Sequence, residues 1–589
     1  MKYWHIVTGL LVLWLLVIVY MSNTVFPNAS DTTLKTEKQL YRALGELQKL
    51  QDQNAELHAL ASEIKELKFG PNVDTNDGEY VDLKLRLDKA LKEIERLSSK
   101  RSGDRFNFEN IKSVNISVPS QEHEVTRREL ERVSTEFWLF IRSELNKLKT
   151  RTVESNVVKI VNEILGDSNG YQKTLKNHFY ELENKVDGAG AWRYKESQKL
   201  GDLVQRRLTY LQNPKNCESA KKMLCNLGKG CGYGCQLHHV TYCLIMAYAT
   251  QRTLILQSSG WRYSVKGWEF VFEPLSKTCT TTMGQTSVRW GPHDQIKDAL
   301  VVEMPIVDSL VPRSNYLPLS VPEDLADRLI RFHGDPSAWW IGQFVTYLTR
   351  PNQFLKEDLE TSQSKLGFEN PIVGVHVRRT DKVGMEAQFH TLEEYMTYVD
   401  EWFDFYAQRH PNVQRRVYLA SDDPSVLSEA TKNYPHYIFV SDNEVSKTAG
   451  LSSRYSDASL RGIILDTHLL SLCDYLVCTF SSQVCRVAYE IMQTRHGDAS
   501  RWFKSLDDIY YFGGQNGHQW RMVQPHEARN GDEISLDEGD LVGIAGNHWN
   551  GYSKGKHIRT QKSGLFPSYK AVDKIERVKM PTYPEVPDL

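Results

Sequence analysis

The amino-acid sequence predicts an α/β fold: a parallel, doubly wound sheet entered from a long helical region and followed by a small all-β unit. Three observations predict it. Beyond Cys217, short apolar strands alternate with helical patterns; the last segment breaks into short runs separated by Gly and Asp; and the region before Val186 carries apolar spacings of helical period. At 589 residues the chain is too long for one core. About two to four folded units are expected. The formal net charge of -2 gives no sign of nucleic acid as a partner, so any basic site must be local.

Taken from the amino terminus, Ile6 to Tyr20 is an uncharged apolar run, extendable to Trp4 and Met21, with Lys2 before it and no lysine or arginine after it until Lys35. Residues 1–21 therefore read as a short cytoplasmic tail and a retained membrane anchor, with everything beyond lumenal or extracellular; a cleaved signal peptide is the alternative. Residues 22–120 read as a stem. Leu40, Leu47, Asn54 and Ala61 recur every seven residues, and Ala43, Leu50, Leu57 and Ile64 fill the complementary seam. This is a coiled-coil pattern, in which Asn54 can set register. Its alternative is a single helix lying on the body of the protein. Asn28-Ala29-Ser30 and Asn115-Ile116-Ser117 are glycosylation sequons in this stem.

Residues 121–212 read as a helical module that packs on the α/β region after it rather than standing alone. Leu130, Val133, Phe137, Ile141, Leu145 and Leu148, then Val157, Val161, Ile164, Leu175, Phe179 and Leu182, keep helical spacing. Residues 213–506 hold the strands of the predicted sheet: Thr253-Leu256, Pro371-Val377, Arg416-Ala420, Tyr437-Val440 and Tyr475-Thr479. Six of the nine cysteines crowd residues 217–279, and Cys473, Cys478 and Cys485 form a second group. A lumenal chain favours disulfides over zinc, and the spacing leaves the connectivity open. Residues 507–576 resemble an SH3 domain: GDEISLDEGDLVGIA (531–545), His548-Trp549, Gly551-Tyr552 and GLFPSY (564–569) follow one another in the order of that small barrel. His548 stands where many such domains carry a second tryptophan, which argues against ordinary PxxP binding. Residues 577–589 read as a tail.

Chemistry is concentrated at the ends of the predicted strands. VGVHVRRTDK (373–382) closes a β-branched run with His376, Arg378, Arg379, Asp381 and Lys382. Such a cluster is costly to bury unless something anionic meets it, and guanidinium forks pair with phosphate. A solvated loop with each arginine paired to a carboxylate is the competing reading. Glu386, four residues beyond Lys382, can serve as a general base or as half of a surface ion pair. KGCGYGC (229–235) suits close approach to a diphosphate, and equally a tight disulfide turn. Ser421, Asp422 and Asp423 follow a strand and can bind ligand or cap a helix; they lack the Asp-x-Asp spacing of metal-dependent glycosyl transfer, so no metal is expected. Asp466, in a helical stretch, fits a buried arginine partner or a ribose or base contact. Ser482 is expected to cap the helix after Tyr475-Thr479, where backbone amides bind phosphate well.

Together HVRRTDKVGMEAQFH (376–390), SDD (421–423), the Asp466 helix, TFSSQVCRVAYEIMQ (479–493) and DDIYYFGGQNGHQW (507–520) resemble the eukaryotic core α1,6-fucosyltransferases over nearly the whole chain. The resemblance implies a Rossmann-type, GT-B-like catalytic region and a type II Golgi membrane protein with its catalytic region lumenal. It implies transfer of L-fucose from GDP-β-L-fucose to the 6-hydroxyl of the asparagine-linked GlcNAc of N-glycans, with inversion and with neither cofactor nor divalent metal. Arg378 would hold the diphosphate and Arg379 support it, fixed cations replacing magnesium. Glu386 would be the base, assisted by Lys382. His376, Tyr263, Asp466, Ser482 and Gln483 would contact guanosine or phosphates, with Gly232 and Tyr233; Asp422 and Asp423 belong to the same donor region, and His548 would touch the acceptor glycan. The implied disulfides are Cys217-Cys279, Cys225-Cys243, Cys231-Cys235 and Cys478-Cys485, leaving Cys473. A homodimer through the stem and helical module is expected. The alternatives are a fucosyltransferase with another acceptor, such as a protein hydroxyl, and a non-catalytic, membrane-tethered SH3 interaction protein.

Overall fold

The computed structural model describes residues 118–380, 388–450 and 453–588. The expected anchor, the heptads and both sequons lie outside the described residues, as do Lys382 and Glu386. Among the described residues no helix is long and apolar enough to cross a membrane.

Two long helices open the described chain: α1 (Gln121–Arg151) and α2 (Ser155–Glu181). Ser120 caps α1 by accepting the His123 amide at 3.1 Å. Glu122 and Glu124 sit in its first turn and Lys149 and Arg151 in its last, the arrangement that complements a helix dipole. Contrary to expectation, much of the apolar spacing of this pair faces out, Leu130, Phe137, Ile164 and Leu175 among them. The third helix, α3 (Ala189–Gln212), differs: Leu200, Val204 and Leu208 are fully buried in the main core. The boundary expected at residue 213 is therefore not a structural one. Buried Glu124 ties α1 to α3 through Arg193 at 2.8 Å, an ion pair that burial alone would make unfavourable and that needs both partners.

The first parallel sheet runs β1 (Lys222–Asn226), α4 (Tyr233–Ala249), β2 (Thr253–Gln257), β3 (Ser287–Arg289) and β4 (Val301–Glu303), with spatial order β2-β1-β4-β3. After β5 (Val321–Pro322) come α5 (Glu323–Phe332), α6 (Pro336–Leu348) and α7 (Gln353–Lys365). The second sheet runs β6 (Val373–Val377), α8 (Leu392–Ala407), β7 (Arg416–Ser421), α9 (Ser425–Asn433), β8 (Ile438–Val440), α10 (Asp457–Leu470), β9 (Tyr475–Cys478), α11 (Gln483–Arg495) and β10 (Phe503–Ser505). Its order is β10-β9-β6-β7-β8, parallel throughout. All five expected strands form, within a residue or two of their expected ends. The chain thus winds outward from β6 in one direction to β8, returns, and winds outward in the other to β10. The reversal falls between β6 and β9, which is where open α/β sheets bind ligands. Helices α6 and α11 cross at Gly342, where a Cβ would collide with the Glu490 carbonyl oxygen.

A five-stranded antiparallel barrel closes the fold: β11 (Gln519–Met522), β12 (Leu541–Asn547), β13 (Tyr552–His557), β14 (Ser563–Pro567) and β15 (Ala571–Asp573), around Met522, Ile534, Leu536, Val542, Phe566 and Ala571. The segment beyond it is not a loose tail. β16 (Arg577–Val578) pairs in parallel with β5, and Tyr583, fully buried, donates its hydroxyl to the Tyr248 carbonyl at 2.7 Å.

Candidate active site

Two loops meet at the reversal point, one leaving β6 and one leaving β9. His376 is buried near the end of β6; burial, with the Arg378 guanidinium adding to it, pushes its imidazole down to about 4, so it is neutral at physiological pH. Asp422, at the end of β7, shapes the β6 loop. Its carboxylate accepts the Arg379 amide at 2.9 Å, the Thr380 amide at 3.3 Å and the Thr380 hydroxyl, and pairs with Arg378 at 3.1 Å. Both arginines have carboxylate partners here: Arg379 forms a two-pronged pair with Glu429 of α9, at 2.5 and 3.1 Å. Arg378 is thus the guanidinium nearer the crevice, and Arg379 anchors the loop to α9. Pro424 is the N-cap of α9, which has no side-chain cap among the described residues; Asp423 just before it accepts the Ser425 amide at 2.9 Å.

On the β9 side, Ser482 stands at the N-cap of α11 but makes no side-chain capping hydrogen bond among the described residues, which corrects the expected cap. The turn is held instead by Asp507, whose carboxylate accepts the Phe480 amide at 2.8 Å, the Ser481 amide at 3.4 Å and the Ser505 hydroxyl at 2.9 Å. His376 Nδ1, Ser481 Oγ and Gln483 Oε1 are buried without a hydrogen-bond partner among the described residues. Orphaned polar atoms on two adjoining strand ends are costly alone and mark where a ligand can be bonded.

The glycine-rich loop completes the crevice from the first lobe. It joins β1 to α4, so the strand-turn-helix context that gives glycines a phosphate-binding meaning is present, and Cys231 also pairs with Cys235. The disulfide-turn reading of KGCGYGC is thereby met, and the loop stands in the context that the diphosphate reading requires. Gly232 is the N-cap of α4, and the Tyr233 amide donates to the Tyr263 hydroxyl at 2.9 Å. A Cβ on Gly234 would stand 2.9 Å from the Cβ of Gln483. The N-termini of α4 and α11 therefore abut, and their positive dipole ends add to Arg378. Tyr263 lies between them and the second lobe, edge-on to Tyr455, with Arg378 and Arg454 close enough to act on its hydroxyl.

Asp466, on α10, is buried, and desolvation pushes its carboxyl up to about 7. Its partner is the Tyr418 hydroxyl at 2.7 Å rather than an arginine, the first of its two expected readings. His548 is exposed in an open cleft of about 450 Å³ between α1 and the barrel, with Arg142, Asn146, Lys147, Trp549 and Asn550. Like Asp466, whose partner is mid-strand, His548 stands apart from the strand ends. The four disulfides form as implied, and Cys473 is the free cysteine, buried. Among the described residues the only metal-like grouping is Cys225, His239 and Cys243, whose two sulfurs are bonded to each other. Sequence reasoning passed over Asp507 and Lys504. Burial, with Arg142 adding to it and Glu401 and Glu136 opposing, pushes the Lys504 ammonium down to about 7. The acidic pair Asp507-Asp508 was visible, but β10 before it is only Phe-Lys-Ser, which no strand pattern marks.

Two parallel α/β lobes that meet at abutting helix N-termini, with a small antiparallel barrel appended, define a two-lobed α/β protein whose ligand crevice lies at the strand ends. Residues 1–511 match the family described as "Alpha-(1,6)-fucosyltransferase N- and catalytic domains", and residues 523–570 match "Variant SH3 domain". The chain is 45% identical to the alpha-(1,6)-fucosyltransferase of Drosophila melanogaster, over 96% of this chain and 94% of that one. It is 47% identical to that of Caenorhabditis elegans, over 67% of this chain and 71% of that one. The solved fucosyltransferase NodZ from Bradyrhizobium covers 46% of this chain and 92% of its own at 14% identity, with a TM-score of 0.28, a likeness too slight to carry fold or function. The chain belongs to the α-(1,6)-fucosyltransferase family and is an enzyme of that type.

Proposed function

We propose that this enzyme moves L-fucose from GDP-β-L-fucose to the 6-hydroxyl of the asparagine-linked innermost GlcNAc of N-glycans, with inversion and without a divalent metal, as a type II protein of the Golgi lumen. The observation that carries the donor reading is the convergence of Arg378 with the N-termini of α4 and α11 at the reversal point of the second sheet. When the bond to the anomeric carbon breaks, negative charge grows on the departing diphosphate. A fixed guanidinium and two dipole ends stabilise it without reorganising at the moment of reaction. Asp422 is already committed to Arg378 and the β6 loop, which leaves it poorly placed to ligate magnesium. Inversion needs the acceptor oxygen to attack from the face opposite the diphosphate while a base takes its proton. Glu386 is assigned that proton and Lys382 the tuning of its carboxylate. Asp466 and the neutral His376 bond the guanosine part, and His548 meets the acceptor glycan.

The test offers a purified N-glycan with GDP-fucose to the full-length chain and locates the new sugar by fragmentation mass spectrometry. Transfer to the innermost GlcNAc is expected, and fucose found elsewhere overturns the acceptor. Arg378→Ala is expected to lower kcat by about 10²- to 10³-fold with little change in melting temperature, by analogy with loss of one fixed charge-stabilising donor. Near-normal turnover in that variant removes Arg378 from the leaving-group site.

A further inference from the structure

The turn between β12 and β13 of the barrel has an unusual backbone. Trp549 has φ +53°, the left-handed region that non-glycine residues rarely occupy, and Gly551 has φ +86°. Asn547 holds the turn from both sides: its side-chain oxygen accepts the Trp549 amide at 2.7 Å, and its amide donates to Glu136 of α1 at 3.1 Å. α1 presses on it directly, since a Cβ on Gly551 would stand 2.8 Å from the Cβ of Phe140. So constrained, the indole of Trp549 lies on the second lobe. Lys504 Nζ stands 4.0 Å from its ring centroid, and its Nε1–H donates to the Asp507 carbonyl at 3.3 Å. This is the same Asp507 whose carboxylate fixes the Phe480 and Ser481 amides.

We propose that Trp549 is a positioning residue for fucosyl transfer: through the Asp507 main chain it couples the SH3-like barrel to the loop that opens α11 at the donor diphosphate. The barrel then serves the reaction at two distances, through its own glycan-facing surface and through this contact. An indole committed in this way is also not offered to a PxxP peptide, which gives a structural reason for the sequence departure at His548. A left-handed tryptophan is retained where the strain sets the direction of the ring, as at functional sites generally. The inference rests on the donor reading above, and concerns the geometry of that donor loop rather than the identity of the ligand.

Trp549→Phe keeps a ring over Lys504 and removes only the N–H donor. In the full-length variant, the GDP dissociation constant measured by calorimetry and the KM for GDP-fucose are both expected to rise about five- to tenfold, the scale of one hydrogen bond to a charged neighbourhood. The melting temperature should stay near wild type. Asp507→Ala is expected to weaken GDP in its own right, and adding Trp549→Phe to it should cost little more, because both act along one path. Wild-type GDP affinity in Trp549→Phe overturns the coupling, and so does a double variant whose two losses multiply. A merely structural tryptophan would lower the melting temperature without touching GDP. Failure of the wild-type chain to bind GDP would instead sink the donor reading, and the two failures are told apart in the same titration.

Discussion

Asp422 and Asp466 are two carboxylates of similar burial set to opposite tasks by their neighbours. Asp422 receives two backbone amides, a hydroxyl and a guanidinium, and organises the β6 loop as an anion. Asp466 has one neutral donor, Tyr418, and desolvation lifts its carboxyl to about 7. A carboxyl whose folded value stands above its unfolded one holds its proton more tightly when folded. Its contribution is full below the unfolded value, near 4, and is lost as pH rises through about 7. The ligand-free enzyme should therefore lose stability between pH 5 and pH 8, and Asp466→Asn, which cannot ionise, should lose less, the difference being on the order of a few kcal/mol. Thermal melts of both proteins at pH 5 and pH 8 measure it, and parallel curves would show that Asp466 does not titrate there. The sequence supplied both aspartates but neither partner. Tyr418 sits mid-strand 48 residues away, and no spacing rule joins a strand tyrosine to a helix carboxylate. For Arg379 the sequence left the partner open in the same way: a carboxylate partner was one of its readings, yet only the tertiary fold decides that it is Glu429 of α9.

At the scale of elements, the contact that matters most is between helix N-termini. Gly234, in the first turn of α4, lets Gln483, the first residue of α11, come within van der Waals reach, and its neighbours there are a Cβ and main-chain atoms at 2.9 to 3.0 Å rather than the end of a flexible side chain. Gly234→Ala must move one helix against the other. Overpacking of this kind costs about 1–3 kcal/mol, and here the displacement falls on the two dipole ends assigned to the diphosphate. The expected result is a lower melting temperature together with weaker GDP binding; a variant that loses stability but keeps wild-type GDP affinity would separate the helix contact from the site. The glycine was visible in KGCGYGC, and so was its double reading. What the sequence hid was β1 in front of it. Lys222 opens that strand fully buried, its ammonium reaching the Ala220 carbonyl and the Gln285 side chain, both at 2.9 Å. A lysine at a strand start breaks the apolar run on which strand recognition depends. The strands that were legible, β2 and β6 to β9, each carry β-branched residues, whereas β1, KMLCN, has neither a β-branched nor an aromatic one.

For the whole molecule, local patterns could specify an α/β region, a helical region and a barrel, while the division of the one expected sheet into two, which separates Thr253-Leu256 from the other four strands, the order of strands, the reversal point and the return of the carboxyl terminus to β5 depend on contacts between residues far apart in the chain. Tyr583, in a stretch rich in proline and charge, could not be recognised as core from its neighbours. The helical region poses the converse case, apolar spacing that stays outside. Along α2, Ile160, Ile164, Tyr171 and Leu175 are all exposed and recur at intervals of four and seven, and Leu182, just past its end, continues the spacing; Leu130, Phe137 and Leu148 make a second stripe on α1. Spacing of this kind is a coiled-coil seam without its partner. A second copy of the chain would supply the same seam, which makes these stripes the support for the proposed homodimer through the helical module. Ile164→Glu combined with Tyr171→Glu should convert a dimer into a monomer in sedimentation velocity at micromolar concentration. Because both residues stand in solvent and far in sequence from the strand ends, GDP binding should persist in the monomer. A wild-type chain that sediments as a monomer, or a double variant that remains a dimer, would show that this face is not the one that holds the subunits together.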